Sequence, residues 1–272
     1  MINNITKFSA ANSSVTEIKA NVFSYQKITK SEFERNETIF VHEDDYFKVE
    51  LVGYKLNQIH KDILDIILTF GGKDFDGKLK DNRFVRTISL YRIKELIGYK
   101  NSNNTKWVEK KINEIQQTLI QVTIKETGDV WKFSIIETAK HSTKLNTYAV
   151  VIHPLYFNFF VEDISIDYSY YLKDILGLEN GITKAAIRFL LTHKKGININ
   201  INNLLKKIGV SGTYRNLNKQ KAKLLKELEE IGDKFNIKLK KTTTDNRKNK
   251  DITVQYTKLP EIRFYYPAKK QK

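Results

Sequence analysis

Residues 201–231 constrain this chain more than any other stretch. Leu204, Leu205 and Ile208 have the spacing of a short amphipathic helix, Gly209 interrupts it, and Ser211-Gly212-Thr213 reads as a turn ending in a helix N-cap. A longer helix follows, with Leu217, Leu224, Leu228 and Ile231 along one stripe. At about 100° per residue, Arg215, Lys219, Ala222 and Lys226 fall on the opposite side. A short helix, a glycine turn and a longer helix with a basic outer face is the pattern of a helix-turn-helix. Taken alone, the same residues also suit a plain helical hairpin with a solvated lysine face. The elements that follow, and a second copy of the pattern, decide between the two.

The second copy lies earlier in the chain. Residues 90–97 read as a short helix stopped by Gly98, residues 101–105 as a polar turn, and residues 106–121 as a longer helix. Its inward stripe is Val108, Ile112, Ile115 and Leu119; its outer face carries Lys106, Lys110, Asn113 and Gln117. Ahead of it come strands at 38–41 and 47–52, a helix at 56–70 with Ile59, Ile63, Ile66, Ile67 and Phe70 inward, and a strand at 86–90. Behind it, residues 122–126 and 130–136 flank Thr127-Gly128-Asp129 as a hairpin, and a strand at 147–153 follows. The last third repeats the order. A helix at 182–193 and a strand at 197–201 precede the opening motif, and strands at 235–241 and 252–257 flank a polar, basic loop. Three helices followed by a hairpin outline a winged helix, with the hairpin as wing. The expected fold class is α+β: two tandem winged-helix domains, at 37–165 and 166–272, behind an N-terminal arm at 1–36 that is partly disordered and loosely docked.

Charge separates the two halves. The chain has 47 basic and 31 acidic residues, net +16. Residues 1–179 hold 24 of each sign, whereas residues 180–272 hold 23 basic and 7 acidic, so the whole excess surrounds the opening motif. Such asymmetry points to a polyanion. A membrane surface would also attract it, but the apolar residues here are absorbed by a core, and no run approaches the ~18–20 apolar residues of a span. With no signal-peptide pattern at 5–15 and no cysteine, the expected location is the cytoplasm, associated with nucleoid or plasmid.

Little points to catalysis. Gly72-Lys73-Asp74-Phe75-Asp76-Gly77-Lys78-Leu79 has the glycine and lysine spacing of a phosphate-binding loop. It ends on Leu79 where a hydroxyl should hold magnesium, and it follows a helix where a strand is needed. The five histidines, His42, His60, His141, His153 and His193, are scattered. A lone His60 on a helix suits a surface or half-buried place better than a metal site. Tyr168, Tyr170 and Tyr171 suit packing between domains. We therefore expect no enzyme, no metal and no cofactor.

Three stretches carry a resemblance: Tyr214-Arg215-Asn216-Leu217 after the turn, the continuation from Leu224 to Ile231, and Ile182-Thr183-Lys184-Ala185-Ala186-Ile187-Arg188-Phe189-Leu190 at the domain transition. With two winged helices in tandem, they make residues 40–265 similar to the iteron-binding replication initiators of plasmids. The resemblance implies that both domains touch double-stranded DNA, that monomers bind origin repeats, and that dimers repress the initiator's own promoter. It also implies a self-dimer through domain 1 and contacts with host replication proteins. The implied readers are the helices beginning at Lys106 and Thr213, although the first is only mildly basic. We expect base contacts from Tyr214, Arg215, Asn218 and Lys219, and from Lys106, Lys110 and Asn113, with Thr213 also at the DNA and Arg247, Lys248 and Lys250 of the second wing on phosphate. The alternatives are a winged-helix transcriptional regulator with no replication role, and a protein-binding pair of winged helices.

Overall fold

The computed structural model of the protein describes residues 13–26, 38–43, 45–72, 84–99, 105–142, 147–156, 164–242 and 251–266. In the first unit, helix α2 (Gln58–Phe70) is followed by β4 (Phe84–Ile88), α3 (Leu90–Leu96) and α4 (Lys106–Gln116). Strands β7 (Ile136–Ser142) and β8 (Thr147–Ile152) then close an antiparallel sheet ordered β4-β8-β7. The second unit repeats this with α6 (Gly181–Leu191), β10 (Ile197–Asn200), α7 (Ile201–Lys207), α8 (Tyr214–Ile231), β11 (Ile237–Thr242) and β12 (Asp251–Tyr256). Its sheet is ordered β10-β12-β11, the same arrangement. Both units run helix, strand, helix, helix, hairpin, and the chain is an α+β protein.

The caps are local chemistry. The side chains of Asn57, Ser89, Asn200 and Thr213 each accept a backbone N–H at the start of α2, α3, α7 and α8. The turn between α7 and α8 needs its glycines: Gly209 and Gly212 have φ of 77° and 126°, conformations a side chain resists.

The first wing lies elsewhere than the sequence pattern suggested. Strands β5 (Leu119–Ile124) and β6 (Val130–Ser134) join β2 (Thr38–Glu43) and β3 (Phe47–Val52) in a separate sheet ordered β2-β3-β5-β6. Apolar cross-strand neighbours hold this register, Val49 opposite Val122 and Leu51 opposite Ile120. The hairpin that closes the three-stranded sheet with β4 is β7–β8. The helical reading also ran too far: α4 ends at Gln116, and Leu119 is 39% exposed on β5. Ile115 and Leu119 sit four apart, so a helical stripe carried across the boundary unnoticed.

The N-terminal segment differs too. Strand β1 (Ser13–Ser14) pairs with β9 (Ser165–Asp167), which also pairs with β13 (Arg263–Tyr265). Helix α1 (Val15–Lys19) follows, and Val15, Ala20, Val22, Phe23 and Tyr25 are buried in the core. Residues 13–26 are therefore built into the fold and are not a loose arm; the rest of 1–36 lies outside the described residues. A short helix α5 (Leu172–Leu176) bridges β9 and α6. The buried side chains of both units form one contiguous core.

Candidate nucleic-acid interface

Helix α8 carries five basic side chains, more than any other described helix or strand of the second unit. Thr213 caps it, its hydroxyl accepting the Asn216 N–H at 3.4 Å. Leu224 and Leu228 are buried, whereas Leu217 and Ile231, at the ends of the expected stripe, are only half-buried. On the opposite side Tyr214 (78% exposed), Arg215, Asn218 and Lys219 stand in solvent, with no hydrogen bond or ion pair to other described residues. The structure brings together all five expected residues from Thr213 to Lys219.

The charges of α8 oppose its dipole. From Tyr214 to Lys226 there is no carboxylate, and Arg215, Lys219, Lys221, Lys223 and Lys226 are all cations; Glu227, Glu229 and Glu230 follow near the C-terminus. The first turn holds no acid and the last turn no base. Cations at a helix N-terminus and anions at its C-terminus each cost a few tenths of a kcal/mol, about 0.3–1. Helix stability alone would favour the reverse order. Free N–H groups and cations at one end also make that end attractive to phosphate.

The first unit offers a milder surface. Lys106 and Lys110 are exposed on α4 and Asn113 is half-buried beside them. Together with Tyr54, Glu109, Glu114 and Gln117 they line a surface groove of about 400 Å³. Tyr54 is set there by the Thr118 hydroxyl, which accepts the Tyr54 N–H at 3.2 Å. Lys111 is occupied by Glu114 at 2.6 Å. The wing of the second unit presents Lys238 and Lys240 on the exposed side of β11. Arg247, Lys248 and Lys250 lie outside the described residues, as does the phosphate-loop-like stretch beyond Gly72.

Each of these two helices is held by a buried carboxylate. Glu227 of α8 accepts from the Glu179 N–H (2.9 Å), the Asn180 amide (2.8 Å) and the Thr183 hydroxyl (2.6 Å) at the start of α6. Glu114 of α4 accepts from His60 Nε2 at 2.7 Å in the first turn of α2. His60 is fully buried, not in the surface or half-buried place expected of it; among the described residues no cluster of His, Cys, Asp or Glu could hold a metal ion. Burial holds its pKa below 6.5, with Lys111 adding to that and the Glu114 hydrogen bond opposing it. Tyr168 is buried at the junction of the two units, whereas Tyr170 is exposed. Sequence reading missed Glu17, Tyr54, Asp62, Asp65, Glu114, Lys184, Arg188 and Glu227. The available signal was the placement of charges inside otherwise apolar helices, Asp62 and Asp65 in α2 and Lys184 and Arg188 in α6.

No family model matches the chain, and no curated protein matches it in sequence. In structure it is similar to domains 2 and 3 of RctB, known from a crystal structure, with a TM-score of 0.59 at 11% identity. The match covers 91% of this chain and 99% of that one. The likeness is one of fold and spans both units. No helix among the described residues is long and apolar enough to cross a membrane.

Proposed function

We propose that this chain is a sequence-specific double-stranded DNA-binding protein that initiates replication by binding repeats at a plasmid origin. The observation that carries the reading is the carboxylate-free basic stretch of α8 from Tyr214 to Lys226, set against the helix's own dipole. The likeness to RctB supports a Rep-like initiator fold. In this reading lysines and the α8 N-terminus neutralise phosphates and fix register. Tyr214, Arg215 and Asn218 meet base edges in the major groove, and α4 makes a smaller contribution through Lys106, Lys110 and Asn113. The protein performs no covalent chemistry of its own.

The test is selection of bound sites from random duplexes by the full chain, followed by titration at several salt concentrations. The expected result is one enriched motif, with affinity falling steeply with salt. No enriched motif removes the reading. Direct repeats of that motif about 20 base pairs apart, two helical turns, in the DNA beside the gene identify an initiator. A lone site in the promoter identifies a transcriptional regulator instead.

A further inference from the structure

The two units meet across α2 and α6, the first helix of each, and part of that contact is ionic and buried. Arg188 of α6 donates from Nη2 to Asp62 Oδ1 at 2.6 Å and to Asp65 Oδ2 at 2.9 Å, and from Nη1 to Gln58 Oε1 at 2.5 Å. Lys184, one turn earlier, donates to Asp62 Oδ2 at 2.5 Å and to the Leu176 carbonyl at 3.0 Å. Beyond Asp65, Lys61 Nζ lies 2.8 Å from Asp65 Oδ1 and 3.5 Å from Glu17 of the N-terminal segment. The Tyr168 hydroxyl donates to Asp65 at 2.9 Å. Three buried cations, Lys61, Lys184 and Arg188, thus face three buried carboxylates, Glu17, Asp62 and Asp65. Burial alone would lower the pKa of Lys61 and Arg188, and the carboxylates more than reverse that, so both remain cationic.

Such a cluster is a poor source of stability, because desolvating the charges costs about as much as their attraction returns. What it supplies is direction. A guanidinium whose Nη2 bridges two carboxylates while its Nη1 holds Gln58 has one good geometry, whereas two apolar faces can slide. The cluster also lies in series with both exposed basic helices. Glu114 and His60 tie α4 to α2, and Glu227 ties α8 to the start of α6. The α2–α6 cluster is the middle link of a run of buried polar contacts from one helix to the other.

We propose that this cluster fixes the separation and angular phase of the two DNA segments met by α4 and α8. Asp62, Asp65, Lys184 and Arg188 are then positioning residues for half-site spacing. The proposal rests on the DNA-reading function above. Each base pair inserted between two half-sites moves them about 3.4 Å apart and turns them by about 34°, a mismatch a rigid junction cannot follow.

Two measurements on the full chain test it. The chain has no cysteine, so Glu126→Cys with Glu230→Cys, at exposed positions of the two units, accepts one pair of spin labels. A single narrow distance is expected, the same with and without the selected duplex. A broad, double or shifted distribution overturns the proposal. The second measurement is affinity for duplexes with base pairs inserted between the half-sites. One insertion should weaken the wild type about tenfold or more. Arg188→Lys keeps the charge and loses the fork; its insertion penalty should fall to about threefold, with affinity at the selected spacing little changed. Equal penalties in the two proteins overturn the proposal. If thermal unfolding shows Arg188→Lys to be unfolded, the wild-type distance and spacing penalty decide alone. A wild type that selects no duplex removes the DNA-reading function. One that selects a duplex but ignores spacing removes only the present proposal.

Discussion

The carboxylate of Glu227, near the end of α8, accepts a 2.6 Å hydrogen bond from the hydroxyl of Thr183, in the first turn of α6. The N-cap residue of α6, Asn180, makes no side-chain capping bond of its own. Glu227 supplies the negative charge from another helix, where the α6 dipole favours it. The first unit has a counterpart in Glu114 and His60, between α4 and the start of α2. The duplication therefore extends beyond element order to how each basic-faced helix is fastened.

Glu227→Gln should destabilise the protein by about 1–3 kcal/mol, because an amide nitrogen would face donors that the carboxylate now satisfies. Exposed Glu229→Gln should change stability by less than about 0.5 kcal/mol. Urea unfolding of both variants checks this; equal small effects would mean that Glu227 is not a structural tie.

The element order was legible in the sequence because it rests on local signals. The Thr213 cap, Gly209 and Gly212 in the turn, and the Leu224–Leu228 stripe all appear where periodicity put them. What was not legible is non-local. Whether 122–136 is a wing or part of another sheet depends on pairing with β3, some 70 residues away, and an alternating strand does not name its partner. Asp62, Asp65, Lys184 and Arg188 look like surface charges at i, i+3 and i, i+4 until α2 and α6 are brought face to face. Of the expected interface, Thr213 to Lys219 was legible because one helix face carries it, while the Tyr54 side of the α4 groove comes from a distant loop.

The α2–α6 contact should make the two units unfold as one. Asp62→Ala leaves Arg188 and Lys184 buried beside too few carboxylates and should cost about 3–5 kcal/mol. Both tryptophans, Trp107 and Trp131, lie in the first unit. Their fluorescence therefore reports that unit, while circular dichroism reports both. The two signals should unfold together in wild type and in Asp62→Ala. Separate transitions would mean that the units are independent. For the same reason residues 180–272, cut from their carboxylate partners, should fold poorly as a fragment.

The His60 contribution to stability should be lost on mild acidification, against an opposite contribution from Glu17, whose folded pKa is raised by burial. His60 Nδ1 lies 3.0 Å from the Asn57 backbone nitrogen and 2.9 Å from Asn57 Oδ1, and Nε2 lies 2.7 Å from Glu114; a neutral ring that accepts the Asn57 N–H at Nδ1 carries its proton on Nε2, toward Glu114. Burial keeps the folded pKa below the unfolded value of about 6.5. Between those two values the unfolded chain binds more protons, so stability drops as pH falls from about 6.5 and levels off below the folded pKa. His193, lowered first by burial and then by Lys19, acts in the same sense. Between about pH 7.5 and about pH 5.5 denaturation should show wild type losing stability relative to His60→Gln, whose amide can still donate to Glu114. An identical loss in both would place the sensitivity elsewhere.

The last prediction separates reading from folding on α8. Arg215 is exposed in the first turn, without a partner among the described residues. A guanidinium there can make a bidentate contact to guanine O6 and N7. Arg215→Ala should cost roughly 1–3 kcal/mol at the selected site and relax preference at one base pair, while stability moves by less than about 0.5 kcal/mol. The contrasting core position is Leu224, fully buried on the other face, and not Leu217, which is half-buried and would leave little cavity. Leu224→Ala should cost about 2–5 kcal/mol of stability and lose DNA binding only through unfolding. Thermal unfolding, with binding to selected and scrambled duplexes, decides both. If Arg215→Ala weakens the two duplexes equally, Arg215 holds phosphate and does not read a base. If it melts the domain while Leu224→Ala does not, the outward and inward faces of α8 have been exchanged, and the interface on Tyr214, Arg215, Asn218 and Lys219 goes with them.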